Sequence, residues 1–211
     1  TVALARDGAE AGPRLLPATP PDVDLDPAMP ESLRGRLDET YVRHAPAPAS
    51  EAQILSWAEM VRDAHPLYVD GAPARASRHG GVVAPAMAMS IWNLSRATQL
   101  GVDAARPDVD APDQEAWPET VATDWPFEWR APGASEVIVQ RRHAEFGVAV
   151  RPGDRIHSTA RLLSCSGVKQ TRFGPGYFLS RHEVYQNQDD EVIGYTVMSL
   201  LQYGPGVTPP T

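Results

Sequence analysis

The C-terminal third of the sequence alternates with a period of two, and this pattern constrains the fold more than any other feature. Over residues 155–162 and 192–201, the even-numbered positions and the odd-numbered positions form two alternating sets of side chains. Alternate side chains of a strand point to opposite faces of a sheet, so both runs predict β-strands. Residues 137–143 and 177–185 predict two more, and Asp189-Asp190 predicts the turn of the last hairpin. Short connections favour antiparallel pairing of at least four strands.

A different period precedes these strands. Ser50 and Gln53 form a capping-box pattern, in which each side chain satisfies an amide at a helix start. The sequence therefore predicts a helix over residues 51–62 that ends before Pro66. Its apolar side chains recur every three or four residues and should form a core-facing stripe: Ile54, Leu55, Trp57, Ala58 and Val61.

A second helix is predicted from Ala84 to about Thr98. Pro85 suits the first helical turn, and Gly101 suits a stop. The run is apolar on nearly all sides, so the other elements should wrap around it.

Proline and acidic residues mark the remaining segments. Eight prolines in residues 1–49 predict an extended N-terminal arm, although residues 33–42 fit either a short helix or a first strand. Residues 102–125 combine seven carboxylates with three prolines and predict a loop. One domain over residues 50–205 should follow the arm.

Composition excludes several classes of function. The net charge of −8 argues against a surface for nucleic acid. The absence of an apolar run of about 18 residues and of a signal segment predicts a cytoplasmic protein that neither spans nor binds a membrane. The single Cys165 cannot form an internal disulfide, and the histidines lack the spacing of metal ligands, so we expect no metal site.

Four motifs, in order, carry a family resemblance. Residues 57–70, 80–85, 151–154 and 183–188 resemble the N-terminal, FAS1-like half of MaoC-like dehydratases, and the match covers residues 50–205. The resemblance implies an α+β hot-dog fold, in which an antiparallel sheet wraps a central helix. It also implies hydration of a trans-2-enoyl thioester, or dehydration of the (R)-3-hydroxy product. Hot-dog units usually associate, so we expect an oligomer.

The catalytic motif of that family is changed in this chain. The family pattern is Asp-x-Asn-Pro-Leu-His, in which aspartate and histidine activate a water while an amide polarises the thioester carbonyl. Asp63 remains, but His65 replaces the asparagine and Tyr68 replaces the histidine. A tyrosine with an ordinary pKa of about 10 is a poor base at neutral pH. The candidate catalytic residues Asp63, His65 and Tyr68 thus form a degenerate motif.

Alternative roles remain open for each of them. Asp63 and His65 are either a displaced dyad or turn residues, since a turn aspartate commonly bonds local amides. Tyr68 fits a packing or hydrogen-bonding role in a substrate half-site. His79 either touches the thioester or is structural, and the glycines that follow either admit a carbonyl or only form a turn. The candidate substrate-binding residues are His79, Gly80, Gly81, Val82, Trp92, Arg141 and Arg172, the two arginines as receptors of phosphate.

Three functions are compatible with these residues. The leading hypothesis is a substrate-binding, non-catalytic subunit of a heteromeric enoyl-thioester hydratase, with a second hot-dog chain as partner. The alternatives are a homodimeric hot-dog enzyme, such as a thioesterase or a dehydratase or cyclase, and a non-enzymatic acyl-thioester binding protein. Coenzyme A or an acyl carrier would bear the substrate, and no cofactor is expected. An aromatic group at the acidic loop would cap an acyl pocket, anchor a partner or cover the core: Trp117, Trp125, Phe127 and Trp129.

Overall fold

A six-stranded antiparallel sheet forms the centre of the fold. The computed structural model describes residues 19–92 and 128–208. The sheet order is β1-β3-β5-β6-β2, and the short β4 pairs with β5. This architecture confirms the predicted α+β, hot-dog class with its antiparallel strands. The strands are β1 (Thr40–His44), β2 (Glu136–Phe146), β3 (His157–Cys165), β4 (Lys169–Thr171), β5 (Gly174–Gln186) and β6 (Val192–Tyr203).

The turn between β5 and β6 forms where the sequence predicts it. Asp190 adopts a left-handed conformation with φ of 59°, which aspartate tolerates better than most residues. The side-chain oxygen of Asn187 accepts hydrogen bonds from the amides of Asp189 and Glu191, both at 3.0 Å. These local bonds hold the two longest strands in register, with Leu179 opposite Leu200.

One short helix precedes β1, and further short helices lie in the described part of the connection between β1 and β2. In α2 the predicted capping box is present, since the Gln53 amide donates to Ser50 Oγ at 3.2 Å and the Ser50 amide donates to Gln53 Oε1 at 3.0 Å. The helix ends at a left-handed Arg62. No helix within residues 19–92 and 128–208 has the length and apolarity of a membrane span. The helices are α1 (Glu31–Arg34), α2 (Glu51–Val61), α3 (Pro66–Val69), α4 (Gly71–Ala76) and a 3-10 helix (Ala86–Ser90).

The predicted apolar stripe of α2 is only partly a core face. Ile54 and Ala58 are fully buried, but Leu55 and Val61 are each 44% exposed. The prediction that the whole stripe is buried is therefore wrong. Ile54 lies in a buried cluster with Ile156 and Tyr185, and Trp57 packs against that cluster.

The fold extends into the predicted N-terminal arm. Both candidate structures for residues 33–42 are formed, because α1 begins this stretch and β1 follows it, paired with β3 from Thr40 opposite Arg161 to His44 opposite His157. Leu33 and Met29 are buried in the core. The segment before residue 50 is thus not an arm throughout, since part of it is built into the sheet and the core.

The predicted central helix is described only at its beginning. Residues 86–90 form a 3-10 helix, where the sequence predicts the first α-helical turns. The rest of that helix and the acidic loop, with Trp117, Trp125 and Phe127, lie outside the described residues. Trp129 is described and is fully buried, with its ring edge-on to Tyr41 at 5.1 Å. For Trp129 the structure shows the core-covering role.

One face of the sheet carries two apolar clusters that are separated by buried charge. Along β5, Tyr177 and Leu179 belong to the first cluster and Tyr185 to the second. Between them on the same face lie Arg181 and Glu183, both buried. The second cluster packs α2 and the 3-10 helix against the strand ends through Ile54, Ala84, Ala88, Met89, Trp92, Val150, Ile156 and Ile193.

Candidate functional site

Three of the predicted site residues line one cavity at the end of the sheet. The cavity, of about 420 Å³, lies between α3, the loop after α4 and the chain that follows β2. His65, Tyr68 and His79 lie on its polar side, together with Arg78. The remaining wall is largely apolar and includes Leu67, Val83, Pro85, Phe146, Val148, Val150 and Ile193. Such a cavity, mostly apolar with a few polar groups, suits an acyl chain with one polar end.

Local backbone bonds fix the first two residues of the degenerate motif. Asp63 Oδ1 accepts the amide hydrogen of His65 at 3.2 Å, and His65 Nδ1 accepts that of Leu67 at 3.3 Å. His65 therefore acts as the N-cap of α3, with Pro66 in the first turn. In this geometry one acceptor of each side chain is already used by the backbone, which is the structural role considered for a turn aspartate.

Tyr68 lies at the point where the cavity meets its neighbour. Its ring lies 5.2 Å from that of His65. Burial, with a smaller contribution from the Asp63 charge, raises the pKa of the Tyr68 hydroxyl above its ordinary value. The phenol is therefore protonated at neutral pH and can donate a hydrogen bond, but it cannot serve as a base there.

A second cavity of about 460 Å³ lies on the other side of Tyr68, where α2 faces the loop after α4. Gly80, Gly81 and Val82 line it. Gly80 has φ of +67°, which a side chain would strain, and its amide closes a turn on Ser77 O at 3.0 Å. A Cβ on either glycine would meet nothing within 4 Å, so both glycines also leave open space. The glycine pair thus forms a turn and leaves room beside it, and the entry of a carbonyl there stays a prediction.

His79 is held by two arginines that sequence reasoning did not assign to the site. Arg151 Nη1 donates to the His79 carbonyl at 2.5 Å, and Arg78 Nε donates to His79 Nε2 at 3.3 Å. Burial lowers the pKa of His79, and the charges of Arg78 and Arg151 lower it further. The ring is therefore neutral at neutral pH. The sequence feature that could have pointed to Arg151 as a site residue is its position in the motif at residues 151–154.

The other predicted substrate-binding residues lie elsewhere. Trp92 is buried in the second apolar cluster and lines a shallow apolar groove with Trp57 and Met60. Arg141 precedes Phe146 by five residues on β2, a distance of about 16 Å. Arg172 stacks on Phe173 at 4.6 Å in the turn between β4 and β5, at the opposite end of the sheet. The structure brings neither Arg141 nor Arg172 to the cavity.

Metal-binding and thiol chemistry have little support among the described residues. No group of three or more His, Cys, Asp or Glu side chains there is arranged to hold a metal ion. Cys165 is buried, and burial, with a smaller contribution from Asp26, raises its thiol pKa to about 12. A thiol in this environment is not a nucleophile at neutral pH.

Comparison with known proteins agrees with this fold. Residues 41–122 match the model of the FAS1-like, dehydratase domain region. Over these residues the chain resembles a FAS1-like dehydratase domain. It is 29% identical over 167 residues to the alpha subunit of the 3-oxo-4,17-pregnadiene-20-carboxyl-CoA hydratase of Mycobacterium tuberculosis, covering 79% of this chain and 49% of that protein.

Two further relatives extend the comparison. A probable enoyl-CoA hydratase alpha subunit of Thermomonospora curvata is 29% identical over 169 residues, covering 80% of this chain and 49% of that protein. The crystal structure of the ChsH1-ChsH2 complex from Mycobacterium tuberculosis matches with a TM-score of 0.60 and 26% identity, covering 82% of this chain and 94% of that chain. The chain spans about half the length of the two curated alpha subunits.

The described residues also contain a buried ionic network. Glu128 pairs with Arg43 and with Arg181, the latter at 2.7 Å. Glu183 pairs with Arg181 and, at 3.4 Å, with Arg43. Ser158 Oγ donates to Glu183 Oε1 at 2.8 Å. Two cations and two anions thus balance on the face of the sheet between the apolar clusters.

Proposed function

We propose that this chain is the substrate-binding, non-catalytic subunit of a heteromeric MaoC-like enoyl-thioester hydratase. The observation that carries the proposal is Tyr68, which occupies the position of the family's catalytic histidine and has a raised pKa. The two curated relatives are alpha subunits of hydratases, which supports a subunit role. The solved relative with a TM-score of 0.60 is a complex, which supports a second hot-dog chain as the partner.

The division of labour follows from the chemistry of hydration. A base takes a proton from water as its oxygen bonds to the β-carbon, and a proton is delivered to the α-carbon. In this chain, one Asp63 oxygen and His65 Nδ1 accept backbone hydrogens and the Tyr68 phenol is protonated, so the motif does not present the aspartate and histidine pair of the family. The partner would supply the aspartate and histidine. This chain would supply the apolar wall for the acyl group and hydrogen-bond donors for its polar end.

The decisive experiment compares the chain alone with the chain and its co-purifying partner. Crotonyl-CoA and the corresponding acyl-carrier thioester serve as substrates, so the same assay identifies the carrier. We expect no hydration by the chain alone and turnover by the complex. Robust hydration by the chain alone would overturn the proposal, and so would release of the free thiol, which would indicate a thioesterase. Binding without turnover by any assembly would indicate an acyl-thioester binding protein.

A further inference from the structure

The two ring nitrogens of His79 are in different environments. Arg78 Nε donates to Nε2 at 3.3 Å. A guanidinium has only donors, so Nε2 must be the acceptor, and a neutral ring then carries its proton on Nδ1. Within residues 19–92 and 128–208, no acceptor pairs with Nδ1. A half-buried donor in the wall of a cavity is therefore left for a ligand.

The backbone of His79 is held from both sides. Its amide donates to Ser77 Oγ at 3.1 Å. Its carbonyl accepts from Arg151 Nη1 at 2.5 Å, across 72 residues of sequence. Arg151 is itself fixed, because its amide donates to Asp154 Oδ2 at 2.7 Å. The connection between β2 and β3 thus determines where the ring of His79 lies.

We propose that His79 is a substrate-binding residue whose Nδ1–H donates to a carbonyl oxygen of the acyl thioester, and that Arg151 is the residue that positions it. This inference rests on the proposed function and adds the group that recognises the polar end of the substrate. The acceptor is a carbonyl oxygen because the donor is neutral and the remaining wall is largely apolar. The carbonyl belongs either to the thioester or to an amide of the pantetheine arm.

The surrounding charges favour binding over proton transfer. The cations near the ring are Arg78 and Arg151, and His65 and Tyr68 line the same cavity. Burial and both cations disfavour the imidazolium form. A ring that stays neutral can orient and polarise a carbonyl but cannot deliver a proton as an imidazolium would.

Nitrogen-15 NMR of histidine in the full chain tests the positioning half of the inference without any substrate. We expect the His79 signals of the Nδ1–H tautomer at neutral pH. Arg151→Met should shift these signals, while Arg151→Lys, which keeps a cationic donor, should largely restore them. An Nε2–H tautomer or an imidazolium in the wild-type chain would overturn the inference. A spectrum unchanged in Arg151→Met would overturn the role of Arg151.

Calorimetric binding of butyryl-CoA and of free CoA to the assembled complex tests the donor role, since the saturated thioester cannot be hydrated. His79→Leu should weaken butyryl-CoA binding by several-fold to about tenfold, as expected for one lost hydrogen bond. His79→Gln, which keeps an N–H donor, should stay within about threefold. The matched control is His143→Leu, which replaces an exposed histidine on β2 and should change nothing.

The two ligands separate the possible acceptors. Weakening confined to butyryl-CoA identifies the thioester carbonyl, and equal weakening of both ligands identifies the pantetheine arm. If the wild-type complex binds butyryl-CoA and His79→Leu binds it equally well, the inference fails while the proposed function stands. If the wild-type complex neither binds nor hydrates the thioesters of CoA or of the acyl carrier, the proposed function fails and the role of His79 fails with it. Unchanged melting of His79→Leu confirms that the fold is intact.

Discussion

The cavity wall and the buried ionic network are constructed in opposite ways. In the wall, the bonds of Asp63 to His65 and of His65 to Leu67 each span two residues of sequence. In the network, Glu128 reaches back 85 residues to Arg43 and forward 53 to Arg181. A side chain in a local turn can be substituted without changing the backbone conformation, whereas the network holds together strands that are distant in sequence. We therefore expect substitutions in the wall to alter binding and substitutions in the network to alter stability.

Removal of one charge from the network should have the largest effect. Glu183→Gln keeps the shape of the side chain but removes one of the two carboxylates that pair with Arg43 and Arg181 among the described residues. Loss of one partner of a buried ion pair costs about 3–5 kcal/mol, because the remaining charge is uncompensated. Urea denaturation of the variant and the wild type at neutral pH measures the difference in the free energy of unfolding.

An exposed ion pair supplies the control. Glu31 is 89% exposed at its side chain and pairs with Arg34 at 3.6 Å. Glu31→Gln should change the free energy of unfolding by less than about 0.5 kcal/mol, as is usual for exposed pairs on helices. Equal losses in the two variants would show that the buried network does not stabilise the fold, and the comparison between network and wall would collapse.

The contrast between local and long-range bonds also explains what the sequence could predict. The capping box of Ser50 and Gln53, the turn at Asp190 and the alternating strands depend on residues close in sequence, and the structure confirms them. The network has no such signature, because Arg43, Glu128 and Glu183 meet only after the strands pair. For the same reason, the sequence missed the bond from Arg151 to His79, which joins two loops through the folded chain.

Two other expectations failed for reasons of packing. Leu55 and Val61 fit the apolar stripe of the helix, but they are exposed. The spacing of apolar residues does not show how much of the helix surface other elements cover. Within residues 19–49 the helix is only four residues long, Glu31–Arg34, but the prolines do not prevent Thr40–His44 from pairing along an edge of the sheet. The changed motif at Asp63 and Tyr68 was visible in sequence. The bonding of its acceptors to the backbone was not.

A buried histidine on the opposite face of β5 should make the stability of the fold depend on pH. His182 is 2% exposed and lies 5.2 Å from the ring of Tyr195. Burial, aided by Arg161 and opposed by Glu183, lowers its pKa to about 4. The unfolded chain therefore binds a proton near pH 6.5 that the folded chain refuses. Stability is complete above pH 6.5 and declines by at most about 3 kcal/mol as the pH falls to about 4.

Substitution of His182 should remove that decline. In His182→Gln, the side chain cannot be protonated, so the free energy of unfolding should vary less between pH 7 and pH 4.5 than in the wild type. Denaturant titrations at three pH values in this window provide the measurement, with the exposed His143→Gln as the control. A decline of the same size in His182→Gln and in the wild type would assign the acid sensitivity to other groups.

The smallest expected effect concerns Tyr68, which tests whether the wall binds substrate or performs catalysis. If a partner supplies the catalytic pair, Tyr68→Phe should leave turnover of the assembled complex within several-fold, because one lost hydrogen bond costs about 0.5–1.5 kcal/mol. If Tyr68 transferred protons, its substitution would instead lower the rate by about 10²–10⁴.

Asp63→Asn is the companion variant. Its amide oxygen can still accept the His65 amide hydrogen, so a turn residue tolerates the change and a water-activating carboxylate does not. Both variants are compared as purified complexes, with assembly checked by size-exclusion chromatography. A collapse of turnover in either variant with assembly intact would place the active site in this chain. The cavity wall would then be catalytic, and the ionic network would be the scaffold that supports it.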